Sequence, residues 1–127
     1  MEKNIETKTV TPDTVMAVGE CVGIDGNACS AGAYVYGIVK RANKAANSPA
    51  EIVARGECYA YVDGDSVDVA VGDPLKCDAS KHLVKASTTG TLTDTGTAGD
   101  TITIEESHII ALEANTGAAA LKRVLVQ

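Results

Sequence analysis

Apolar and polar positions alternate along this chain in short runs, and at no point do apolar residues hold a helical spacing for long. The clearest run is 51–62. Ile52, Ala54, Cys58, Ala60 and Val62 share one face, with Gly56 among them, and Val53, Arg55, Glu57, Tyr59 and Tyr61 share the other. A period of two predicts a half-buried strand, and a glycine in its middle predicts a bulge or bend. Val67, Val69 and Val71 alternate with Ser66, Asp68 and Ala70, which predicts a partner strand joined through a hairpin at Asp63-Gly64-Asp65. Shorter strands are predicted over 15–18, 21–24, 34–39, 75–77, 82–86, 101–105, 108–114 and 121–126. Asp25-Gly26-Asn27, Gly72-Asp73-Pro74 and Asn115-Thr116-Gly117 punctuate them. Residues 40–49 read as a loop or one helical turn, and the Thr/Gly tract 87–100 reads as an exposed loop. About nine or ten short strands without a long helix predict an all-β fold, a compact β-barrel or β-sandwich of short strands.

One phrase recurs. Ala17-Val18-Gly19-Glu20 returns as Ala70-Val71-Gly72-Asp73, a glycine beside an acid between two apolar stretches. Such a pair suits a tight turn. Ile38-Val39 leads to Ala42-Asn43 as Ile110-Ala111-Leu112 leads to Ala114-Asn115. The pattern suggests two similar β units, 15–62 and 67–127, in one domain spanning 15–127. Residues 1–14 are polar and end at Pro12-Asp13; they read as an N-terminal arm. A frayed terminus is one reading of the arm. The other is an added strand on a partner surface, since Ile5, Thr7 and Thr9 alternate with charged residues.

Composition sharpens the picture. The 127 residues include no Phe and no Trp; the aromatics are Tyr34, Tyr36, Tyr59 and Tyr61. The core must therefore come from Val, Ile, Leu and Ala, without the area that large aromatics bring, and self-association is expected to bury more surface. A net charge of −6 argues against nucleic acid as a partner, because binders carry a basic footprint and Lys40-Arg41 with Lys44 is the densest basic stretch. The N-terminal residues have no apolar core of the kind a secretion signal needs. No stretch approaches the roughly 18 apolar residues of a membrane span. The expectation is a soluble protein made in the cytoplasm, with no membrane partner. Cys21, Cys29, Cys58 and Cys77 lack close C-x-x-C spacing and read as buried free thiols. No metal or cofactor is expected; a site built from these thiols with His82 and His108 would need long-range convergence.

Candidate chemistry is sparse. Gly64-Asp65-Ser66 resembles the nucleophile block of one esterase class, yet Asp78 to His82 is one residue too long for the accompanying Asp-x-x-His, and turn chemistry accounts for the same residues. Neither His82 nor His108 adjoins a nucleophile motif. Glu105 and Glu106 are adjacent, so on a strand they face opposite ways. No Gly-x-Gly-x-x-Gly phosphate loop is present. The chain is expected not to be an enzyme.

The order Val18-Gly19-Glu20, Tyr36-Gly37-Ile38-Val39, the strand from Ile52 to Val62, Val71-Gly72-Asp73-Pro74-Leu75, a Thr/Gly loop, Ile109-Ile110-Ala111-Leu112 and a terminal run from Leu121 to Val126 resembles the small capsid decoration (cement, or auxiliary head) proteins of tailed bacteriophages. The resemblance covers about 15–127, with Ala111 where that family carries glycine. It implies a compact β fold and a homotrimer seated on the capsid surface of the virion, with the major capsid protein as partner and the arm on the capsid lattice. On that reading Ile5, Thr7, Thr9 and Val10 contact the capsid. Arg55, Tyr59 and Tyr61 are the candidate subunit interface, Tyr and Arg being enriched at interfaces. The alternative is a β-sandwich ligand- or carbohydrate-binding module of a virion, for which the four tyrosines speak and the missing Trp does not. A hydrolase using Ser66 is a third reading.

Overall fold

The computed structural model describes residues 5–86 and 107–127. The expectations for the 87–100 loop, the 101–105 strand and the Glu105-Glu106 pair lie outside the described residues. Among the described residues there are eight strands and no helix: β1 (Glu6–Val10), β2 (Cys21–Gly23), β3 (Val35–Arg41), β4 (Ala50–Val62), β5 (Pro74–Cys77), β6 (Leu83–Lys85), β7 (Ile109–Ala111) and β8 (Ala120–Val126). Strands β4, β6, β5, β7 and β8 pair in that order, and β8 pairs back onto β4, closing a five-stranded β-barrel. Strands β1 and β3 flank the first half of β4 outside this barrel, and β2 lies beyond β3.

The long strand serves both parts because it bends at Gly56. Residues before it pair with β1 and β3; Gly56 to Val62 pair with β8. Gly56 has φ +117°, a left-handed backbone that a side chain disfavours, and the β1 register slips beside it, between Glu6 and Thr7. Val53, assigned to the outer face, is buried as Ile52 is: the two keep opposite faces, opposite Ile38 and Val39 of β3, and both faces are covered there.

The two copies of the repeated phrase make the same bonds. The N–H of Gly19 donates to the Val39 carbonyl and that of Val39 to the Glu20 carbonyl; the N–H of Gly72 donates to Ala111 and that of Ala111 to Asp73. The acid closes each turn on itself. The Ala17 N–H donates to the Glu20 carboxylate at 2.7 Å and the Ala70 N–H to the Asp73 carboxylate at 2.8 Å. The pairing that follows also corresponds: Cys21 faces Ile38 as Pro74 faces Ile110, and Val39 faces Ile52 as Ala111 faces Val124. On the far side, Lys8 faces Ile52 as Cys58 faces Val124. By these bonds β1 stands to the first half of β4 as the second half of β4 stands to β8. The correspondence begins at Glu6 and changes over at Gly56.

The cores correspond too. Met16, Val22, Val39 and Ile52, with Val10 and Ala28 against them, form one buried cluster. Val69, Leu75, Ala111, Val124 and Ala60 hold the matching places in the larger one. Burying a side chain of this size contributes roughly 1.5–3 kcal/mol, so aliphatic residues suffice to hold both.

Two strand expectations fail for one reason. Neither 15–18 nor 66–71 is a strand. The Glu20 and Asp73 carboxylates bind backbone N–H groups three residues back and wind the chain into turns. Only Met16 and Val69 are buried, while Val67 and Val71 are exposed. The Asp63-Gly64-Asp65 hairpin is also absent. The Asp63 carboxylate accepts the Asp65 N–H, and the Gly64 N–H donates to the Gly117 carbonyl, so the chain leaves the sheet there and β8 takes the expected place beside β4. Residues 42–49 are turns, without a helical turn.

Candidate interaction surface

Strand β1 lies along β4 of its own chain, from Glu6 opposite Arg55 to Val10 opposite Ala50. Ile5, Thr7 and Thr9 are exposed on it. Val10 instead packs against the Met16 cluster. Because β4 bends at Gly56, Ile5 is carried over the start of the next half-strand. There it lines an open groove of about 240 Å³ with Val18, Val39, Lys40, Val53, Glu57, Cys58 and Tyr59. An adjoining hollow is lined by Ile5, Glu57, Cys58, Tyr59 and Arg123. Two residues singled out on separate grounds, Ile5 at 45% exposure and Tyr59 at 56%, thus meet in one surface feature.

The other members of the expected tyrosine interface are placed differently. Arg55 is exposed on the half of β4 that pairs with β1. Tyr61 is half-buried: its ring tilts against His82 with centroids 5.1 Å apart, and its N–H donates to the Gly19 carbonyl at 2.9 Å. The bend therefore divides the trio. Val18, at 43% exposure, is the groove residue that sequence patterning missed, since it reads there as the end of the 15–18 strand. Charges ring the site: Arg123 bridges Glu57 at 3.3 Å and Glu113 at 3.4 Å. The Arg123 N–H donates to the Glu113 carboxylate, which together with the guanidinium holds that carboxyl below its usual range.

Three of the cysteines meet within the larger core. Cys21, Cys29 and Cys77 are buried free thiols, and Cys58 is half-buried. The Cys77 thiol lies 3.6 Å from the Cys29 carbonyl oxygen, and a hydrogen bond to Cys77 together with burial holds the Cys21 thiol well above its ordinary range. Burial pushes Cys29 and Cys58 up to about 12, so these two thiols and Cys21 stay protonated and behave as small apolar groups, whereas the hydrogen bond with Cys21 holds the Cys77 thiol below its ordinary value. Among the described residues no group of three or more His, Cys, Asp and Glu is placed to hold a metal.

Ser66 is exposed and lines a hollow with Asp63, Lys76 and Asp78 that neither histidine reaches. His108 sits elsewhere, stacked on Tyr34 at 4.6 Å and 13°, with its Nε2 buried and without a hydrogen-bond partner. Burial lowers its pKa, against a hydrogen bond to the Val35 backbone that raises it. The unfolded chain therefore binds the proton first as pH falls. The stability tied to neutral His108 is full above the unfolded value of about 6.5 and is lost as pH drops through the folded one. Thermal melts are expected to show a midpoint falling between pH 7 and pH 5, and the fall should shrink in His108→Gln.

No known protein-family model matches this chain, and no curated protein matches it.

Proposed function

We propose that this chain is a capsid decoration protein of a tailed bacteriophage, binding the outer surface of the shell as a homotrimer and stabilising it. The observation that carries the reading is the meeting of Ile5 and Tyr59 in one exposed apolar groove beside an exposed polar strand. An open groove of this kind suits a protein partner better than a small reactant. The ordered β motifs that resemble decoration proteins support the same reading. Decoration needs binding without turnover: a protein that binds the assembled shell, and not its free subunits, stabilises the shell by linkage. Three copies acting together turn weak contacts into avidity.

On this reading the groove and the exposed residues Ile5, Thr7 and Thr9 face the major capsid protein, and Tyr59 belongs with them. Placing a carboxylate in the groove with Ile5→Glu or Tyr59→Glu is expected to weaken co-sedimentation with undecorated capsids at least tenfold, a typical loss at an interface anchor. Both positions are exposed, so the fold should survive. Unchanged binding by both variants would remove the groove from the capsid contact.

A further inference from the structure

The two halves of the chain make one contact that is used only once within it. The first turn, Ala17 to Glu20, seats on the second half of β4. The Gly19 carbonyl accepts the Tyr61 N–H at 2.9 Å, and the glycine lies so close to the Leu121 and Tyr61 side chains that an added methyl would stand 2.5 Å from the Leu121 Cδ2. Tyr61 and Leu121 face each other across β4 and β8.

The bonds that relate the halves give this contact a counterpart. The second turn, Ala70 to Asp73, matches the first bond for bond, so Val71-Gly72 stands for Val18-Gly19. Strand β1 on β4 matches β4 on β8. Val10 opposite Ala50 stands for Ala60 opposite Lys122, and one step further on Thr11 and Pro49 stand for Tyr61 and Leu121.

Among the described residues both counterpart surfaces are uncovered. Val71 is 66% exposed, and nothing lies within 4 Å of a methyl built on Gly72. The Gly72 carbonyl accepts no backbone N–H among the described residues, and neither does the Thr11 N–H donate to a backbone carbonyl there. Thr11 and Pro49 are exposed. Among the described residues, a turn with an unpaired carbonyl and an apolar tip, and an edge with an unpaired N–H, are present on the same chain and complement each other.

We propose that the Val71-Gly72 turn of one copy seats on the Thr11/Pro49 edge of a second copy, repeating between chains the contact that Gly19 makes with Tyr61 and Leu121 within one. The occupant is another copy of this chain, because the surface that receives this turn shape is already present in it. The contact is heterologous: the patch that gives differs from the patch that receives. Such contacts build rings where the rotation closes and filaments where it does not. A ring of three is the closure that the homotrimer of the proposed function requires, and the inference rests on the self-association half of that reading. It does not use the Ile5/Tyr59 groove, so the two surfaces can be tested apart.

The test uses the full-length protein without capsids. Sedimentation equilibrium of the wild type is expected to show an oligomer, and Val71→Glu is expected to raise the dissociation constant at least tenfold with an unchanged circular dichroism spectrum. Mixing Thr11→Cys with Val71→Cys and adding a short bismaleimide should cross-link the two variants to each other, above the background of the wild type. A monomeric wild type, a Val71→Glu variant of wild-type mass, or cross-linking no stronger in the mixture than in either variant alone would each overturn the proposal. Loss of capsid binding with this contact intact would count against the capsid reading alone.

Discussion

Gly64→Ala is expected to destabilise the fold by about 3 kcal/mol, at the upper end of what overpacking costs, because the atoms in the way are backbone. A methyl built on Gly64 would collide with the Asn115 carbonyl oxygen and lie 2.6 Å from its carbon. That carbonyl cannot swing aside. The Asn115 N–H and C=O both bond Val69, which is the chain's entry to the second turn, and the Gly64 N–H itself donates to Gly117. Relief would thus require shifting three connected segments together. Gly32→Ala is the matched control. Its backbone has φ +72° but open space around it, and it lies outside both proposed surfaces, so its cost should be about 1 kcal/mol, that of the conformation alone. Urea denaturation of the two variants beside the wild type checks the difference. Equal midpoints would mean that the approach at Gly64 is not tight.

Asn43→Ala is expected to cost a similar amount, about 3 kcal/mol, through unsatisfied buried polar groups. Asn43 is 4% exposed and is the buried polar side chain among the described residues. Its Oδ1 accepts the Met16 N–H at 2.9 Å, and its Nδ2 donates to the Thr14 carbonyl at 3.0 Å and the Ala45 carbonyl at 2.9 Å. Alanine leaves the Met16 N–H and the Thr14 carbonyl without these partners, beside the fully buried Met16, while the Ala45 carbonyl keeps its bonds from Ser48. Asn43→Asp keeps the acceptor but turns a carboxylate toward two carbonyls, so it should not rescue. Asn115 performs the matching service in the other half, bonding Val62 and Ala118 through its amide, yet it is only half-buried. Water can replace part of what Asn115→Ala removes, and a smaller loss of about 1–2 kcal/mol is expected. Thermal denaturation of the three variants, ranked by midpoint, checks this order.

The parts of the fold that were legible in the sequence are those where period and burial agree. The run from Ile52 to Val62 alternates cleanly, and its glycine marks the bend that lets one strand serve two sheets. The run from Val67 to Val71 alternates as cleanly and is not a strand, because the Asp73 carboxylate reaches back to the Ala70 N–H; local side-chain bonding outweighed the pattern. The repeated phrase announced two matching turns. The strand that opens the first half was legible only as one added to a partner surface; its place on its own chain was hidden, because Glu6, Thr7, Lys8 and Thr9 present no apolar face and resemble the second half of β4 only in their pairing. The candidate surface was half visible. Ile5 and Tyr59 could be picked out by residue type, but their meeting depends on the Gly56 bend, which spacing alone cannot express. Val18 was masked because its run reads as a strand over 15–18, where the Glu20 carboxylate makes a turn.

The claim that this chain decorates a phage shell is tested most directly by sedimenting the full-length protein with undecorated capsids of a tailed phage that carries it. Saturable co-sedimentation is expected, with bound copies in threes at saturation and a shell that withstands heating better when decorated. Protein that stays in the supernatant at every concentration, with the shell's heat resistance unchanged, would contradict it.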